Sequence, residues 1–163
     1  MNGHTVNRHA STMLYENETA YRLERRVKLD PHEDKGLEKL FEFYDIFAKM
    51  DLEAMAAIWL PSEKISCHHP GWQPTIGRTQ VMAGWSNIMG QSHSFSIRYE
   101  HLAQDLSGDI LWTTGKEHLQ NAPHEIVTTN ILKHNGGIWY MIHHHSSPIF
   151  AAQPSNDKRH HLN

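Results

Sequence analysis

Between Asp34 and Met50 apolar residues recur at Leu37, Leu40, Phe41, Tyr44 and Phe47, joined by Phe43, Ile46 and Met50. Steps of three and four residues build a wide apolar stripe, which predicts an amphipathic helix with one face in a core. Asp51 is placed to cap a second, short helix burying Leu52, Met55, Ala56 and Trp59, and Pro61 ends it. Residues 64–69 read as a short strand closed by the turn-rich run from Pro70 to Pro74. Gly77 then opens a third helix with Val81, Met82, Trp85, Ile88 and Met89 directed inward.

Beyond Gln91 the period changes to that of strands, at 94–102, 109–119, 124–134 and 138–146. Ser107-Gly108 and residues 120–123 supply turns, and Asn135-Gly136 predicts a two-residue type I′ hairpin. Helices in front and antiparallel strands behind predict an α+β domain whose helices cover one face of a curved sheet. With Asn135 and Gly136 as the loop, Leu132 faces Trp139, Asn130 faces Met141, Thr128 faces His143 and Ile126 faces His145. These share one side of the sheet, while Ile131, Tyr140, Thr129, Ile142 and His144 fall on the other. Large apolar groups on both sides predict that one side meets the helices and the other a second chain.

Composition narrows the class. The chain has 163 residues, 39% hydrophobic and 20% charged, with a net charge of −3, which suits one globular domain and does not suit bulk nucleic-acid binding. No apolar run approaches a membrane span. The lone Cys67 excludes an internal disulfide framework and a four-cysteine zinc site, and reads as a small buried apolar residue. Residues 1–33 read as a polar extension, 34–150 as the domain and 151–163 as a tail. Within the extension, Tyr21, Leu23, Val27 and Leu29 around Arg22, Arg25 and Arg26 suit a short amphipathic helix. The segment reads first as a partly ordered arm and alternatively as one that docks on a protein partner. The opening residues carry no apolar signal region, so a cytoplasmic location is expected.

Four segments in order, FYDIFAKMDLEAMAAIWLP, SCHHPGW, GRTQVMAGWSNI and GGIWYMIHHHSSP, resemble the SnoaL-like branch of the nuclear transport factor 2-like superfamily. The chain is especially similar to the association domain of calcium/calmodulin-dependent protein kinase and its bacterial relatives. The resemblance implies a cone: a strongly bent sheet around a long first helix, a pocket at the open end, and dimerisation through the outer sheet face. That family includes isomerases, dehydratases, cyclases and non-catalytic assembly domains, so the pocket residues must choose among them.

Alignment with the association domain puts Met55, Val81, Thr114 and Asn130 at pocket-lining positions. Arginines of that domain are replaced by Thr114 and Asn130 here, so its anionic-ligand site is not expected. Strand parity adds Trp112 beside Thr114, and Thr128 and His143 beside Asn130. The expected cavity is thus aromatic and mostly apolar: Tyr44, Met55, Trp59, Trp85, Trp112, Thr114, Thr128, Asn130, Met141 and His143. Trp59, Trp85 and Met141 are also ordinary core fillers. Glu117 and Glu125 are expected to point away from it. His68, His69 and the run His143 to His145 invite a metal. Consecutive strand histidines alternate faces, however, so neither a metal ion nor another cofactor is expected. The leading expectation is a homo-oligomeric domain binding a small apolar or aromatic molecule. One alternative is a cofactor-independent isomerase, dehydratase or cyclase with His143 as general base, and the other an assembly subunit.

Overall fold

In the computed structural model, which describes residues 30–90, 96–120 and 122–150, the first helix starts earlier than the apolar stripe implies. Helix α1 spans Pro31–Lys49. Asp30 caps it, its side chain accepting from the His32 N–H at 2.7 Å, and Pro31 occupies the first turn, where no donor is needed. Met50 stops it in the left-handed conformation, and Asp51 at once caps α2 (Leu52–Ile58) by accepting from Ala54 N–H at 2.9 Å. In α2 the buried side is Met55 and Ile58, continued by Trp59, while Leu52 is exposed, contrary to expectation. Leu52 lies three residues before Met55 and so on its side of the helix, but as the first residue of α2 it sits at the exposed end of that face.

The strand expected over 64–69 is β1, Ser66–His68, and a two-residue β2, Thr75–Ile76, pairs beside it. Helix α3 follows over Arg78–Met89 and buries Val81, Gly84 and Trp85. The Arg78 guanidinium donates to the carbonyls of Ala56, Trp59 and Leu60 at 2.8, 3.3 and 3.2 Å, satisfying the open carbonyl end of α2. Four long strands complete the chain: β3 Ile97–Ser107, β4 Ile110–Leu119, β5 Ile126–Asn135 and β6 Ile138–Pro148. The sheet order is β2-β1-β6-β5-β4-β3, antiparallel throughout except for β1 beside β6. Helix α1 packs on β3, β5 and β6, the α+β cone that the helix-then-strand order predicts. Contact is close at Gly36, where a Cβ would stand 2.6 Å from Leu111 Cδ2. The polar arm through Leu29 and the tail from residue 151 lie outside the described residues.

Register is where expectation fails. Asn135 pairs with Ile138, so the hairpin loop is Gly136-Gly137, with φ of 60° and 88°, rather than Asn135-Gly136. Two glycines carry the positive φ at no steric cost and release Asn135 to the strand. Farther along, Leu132 pairs with Met141 but Ile131 pairs with His143, leaving Ile142 as an extra residue. This bulge exchanges the faces of every later residue of β6. Trp139 and Met141 point inward as expected, but beyond them the inward residues are His144 and Ser146, not His143 and His145.

Candidate functional site

The inner face of β4 carries Leu111, Thr113, Gly115 and Glu117, all buried, and that of β5 carries Ile126, Thr128, Asn130 and Leu132. Gly115 has no alternative: an added Cβ would lie 2.4 Å from the Tyr99 ring and 2.5 Å from the Glu100 carbonyl oxygen. The Tyr99 ring therefore lies over the strand and stacks on Tyr44 of α1, centroids 4.1 Å apart at 11°.

Against this aromatic pair a polar chain runs through the core. Tyr44 Oη donates to Glu117 Oε1 at 2.8 Å and accepts from Asn130 Nδ2 at 3.1 Å. Asn130 has thus committed its amide nitrogen to Tyr44, so its Oδ1, 2.7 Å from His144 Nδ1, accepts from that nitrogen. The His144 proton consequently sits on Nδ1, and Nε2 accepts from Ser146 Oγ at 2.6 Å. The same Nε2 lies 3.6 Å from Glu117 Oε1. Five side chains from one helix and three strands share one directional network.

Burial sets the charge states. Glu117 is 3% exposed, and desolvation outweighs the hydrogen bonds it accepts, raising its carboxyl from 4.5 to about 7. Desolvation also raises the Tyr44 hydroxyl well above its ordinary value, with Glu117 adding to it, and holds His144 well below 6.5, with the neighbouring histidines contributing. Burial against the Trp85 ring, with the charge of His68 adding to it, lowers His69 to about 4. The Cys67 thiol, 3.4 Å from His69 Nε2, is raised by burial and by Glu117, so it is an inert thiol rather than a nucleophile.

The residues singled out in the sequence divide between the two faces. Tyr44, Met55, Trp59, Trp85, Thr128, Asn130 and Met141 come together inside the cone. Trp112 and Thr114 do not. Trp112 is 39% exposed on the outer face, and Thr114 there donates to the Thr128 carbonyl at 3.0 Å. Glu117, expected to point outward, is inside instead. The signal lay in β4 itself, where Trp112, Thr114, Lys116 and His118 alternate as one set. A lysine in that set marks the outer face and puts Glu117 on the inner one. His143 is also outside, its Nδ1 2.8 Å from Ser66 Oγ and its ring 5.4 Å from that of His68. There His68, His143 and His145 do gather, which consecutive positions alone could not achieve, because the parallel pairing of β1 with β6 adds His68 to the pair.

Comparisons with known proteins agree with this architecture. The model of the SnoaL-like domain matches residues 38–152. A solved Thiobacillus denitrificans protein, named for the calcium/calmodulin-dependent protein kinase type II association domain, is 26% identical. That match covers 69% of this chain and 93% of that one, with a TM-score of 0.65. A Streptomyces avermitilis protein of the NTF2-like family, named as a dehydratase, superposes with the same TM-score at 23% identity over 72% and 96% of the two chains, a likeness of fold. The F-box protein SKIP8 of Arabidopsis thaliana is 29% identical over 106 residues, which are 65% of this chain and 46% of that protein. The chain thus spans about half the length of this curated relative. No helix among the described residues is long and apolar enough to cross a membrane. A cone of this topology, matched by the family model over most of its length, establishes that the chain belongs to the SnoaL-like domain family.

Proposed function

We propose that this domain admits a small, largely apolar molecule to the interior of the cone and that Glu117 exchanges a proton with it, as in isomerase or dehydratase chemistry. The observation that carries this reading is the Glu117 carboxyl, buried, raised to about 7 and bonded by the Tyr44 hydroxyl. A carboxyl poised there takes and returns protons near neutral pH, which an exposed glutamate does poorly. Asn130 donates into Tyr44 and so sharpens that hydroxyl as a donor, for Glu117 or for a substrate oxygen. Glu117 occupies the last paired position of the β4–β5 ladder, opposite Ile126, at the end of the cone away from the Gly136-Gly137 turn. The surrounding rings of Tyr44, Tyr99, Trp59 and Trp85 suit an apolar ligand, and the indole N–H groups of Trp59 and Trp85 have no acceptor among the described residues.

This reading moves the general base from His143, which lies on the other face, to Glu117. Its test is hydrogen–deuterium exchange beside the carbonyl of a panel of small cyclic and aryl ketones, followed by NMR in heavy water. The wild-type chain should catalyse exchange, and Glu117→Gln should lose about a hundredfold or more while keeping its circular dichroism spectrum. Equal exchange by the variant overturns the assignment, as does the absence of both exchange and any small molecule released from the purified protein on denaturation.

A homodimer through the outer sheet face is part of the same reading. Trp112 and Val127 are exposed there, with Ile131 half-buried between the strands' polar residues. Such a surface is costly to leave in water.

A further inference from the structure

At the end of the cone away from Glu117, the first turn of α1 meets the tips of both tight hairpins. His32 belongs to that turn, Asp109 to the turn between β3 and β4, and His134 is the penultimate residue of β5. One ligand atom from each, a ring nitrogen from either histidine and an oxygen from Asp109, lies within 4.8 Å of the others. His134 Nδ1 is 3.8 Å from Asp109 Oδ1. We propose that His32, Asp109 and His134 form a binding site for a divalent transition-metal ion of the zinc class, with coordination completed by solvent.

Three features argue for a built site rather than a chance meeting. The backbone under each ligand is held: the His32 N–H is bonded to the Asp30 cap at 2.7 Å, and the His134 N–H donates to the Asp109 carbonyl at 2.8 Å. The imidazoles share an apolar floor, since the buried Trp139 ring lies 4.7 Å from His32 and 5.3 Å from His134, centroid to centroid. The spacing also fits. Bonds of about 2.0–2.2 Å in tetrahedral geometry set ligand atoms about 3.3 Å apart and imidazole centroids roughly 5 Å apart. The two rings here are 4.5 Å apart, and the Asp109 side chain, 71% exposed, has room to shorten its 3.8 Å distance to His134 Nδ1.

The donor set selects the ion. Two imidazoles and one carboxylate suit zinc and its neighbours in the first transition row, whereas calcium and magnesium require oxygen shells. Among the described residues no second trio of histidine, cysteine, aspartate or glutamate brings its ligand atoms so close. The outer-face histidines, with ring centroids 5.1, 5.4 and 6.3 Å apart, are the competing address. The histidines of β1 and β6 are clustered in sequence, whereas this trio is drawn from three distant points of the chain. It stands independently of the proton-transfer reading, at the other end of the molecule.

The test is calorimetric titration of the untagged full chain with zinc chloride, repeated with cobalt(II) to read coordination from its visible spectrum. One zinc per chain is expected, weakened at least tenfold in His134→Gln and in Asp109→Asn but unchanged in His68→Gln. Zinc should also raise the melting temperature of the wild type and not of the first two variants, because binding to the folded state alone stabilises it. Asp109→Asn alters an exposed turn and keeps the comparison valid if His134→Gln folds poorly. Unchanged affinity in Asp109→Asn and His134→Gln, loss of binding in His68→Gln instead, or no stoichiometric binding by the wild type would each overturn the site.

Discussion

His144 and His145 are neighbours in one strand, yet they inhabit different chemical worlds. His144 is fully buried, has both ring nitrogens bonded, and is held neutral by desolvation. His145 is exposed, one residue on, across the sheet, with His68 and His143 for company. The contrast teaches that residue type announces little here, since the face of the sheet decides whether an imidazole is a structural link or a solvent-facing base.

The sharpest way to test that contrast is to truncate each in turn. His144→Ala should cost about 3 kcal/mol or more in urea unfolding, because it opens a cavity and strands the buried Asn130 and Ser146 groups. His145→Ala should stay within about 0.5 kcal/mol. Equal losses would erase the distinction.

Next in size is a pH effect that separates Glu117 from the histidines by sign. A carboxyl raised from 4.5 to about 7 on folding binds its proton more tightly in the native state. Its contribution therefore falls as pH rises across that window, by on the order of 3 kcal/mol. His69, lowered from 6.5 to about 4, acts the opposite way and destabilises as pH falls through that range. Glu117→Gln should therefore gain on the wild type from pH 5 to pH 8 while leaving the acid limb intact. A stability difference independent of pH would show that Glu117 keeps an ordinary carboxyl.

The smallest expected effect on the fold comes from the outer face. Trp112→Lys should change chain stability by no more than about 0.5 kcal/mol. By light scattering at micromolar concentration, however, it should convert the proposed dimer to monomer. A wild-type chain that already scatters as a monomer would remove that proposal.

The helices and the succession of the four long strands along the chain are legible because apolar spacing in α1 and α3 and turn residues between strands act locally. The two-residue β2 and the order of strands in the sheet depend instead on tertiary pairing. The composition of the site was legible only in part. Tyr44 follows from the helical spacing, Asn130 from the family resemblance and Thr128 from its parity with Asn130. Glu117 escapes the sequence reading because placing Thr114 on the inner face by family resemblance overrides the alternation of β4 itself. His144 was lost because one extra residue, Ile142, reversed the parity of β6. A bulge leaves no periodic signature in a single strand, as it exists only relative to the partner. The gathering of His32, Asp109 and His134 likewise depends on tertiary closure that no local pattern carries.

Arg78 has a consequence for how the molecule loosens. Its guanidinium fastens the end of α2 while its own backbone begins α3, so one side chain closes the stretch between Pro61 and Gly77 into a loop whose middle, β1, is laced to β6. That loop contains β1 and, with it, Cys67, His68 and His69. Its amides should consequently exchange with solvent as one cooperative unit, opening only when the Arg78 clasp and the β1–β6 pairing are lost together rather than fraying residue by residue.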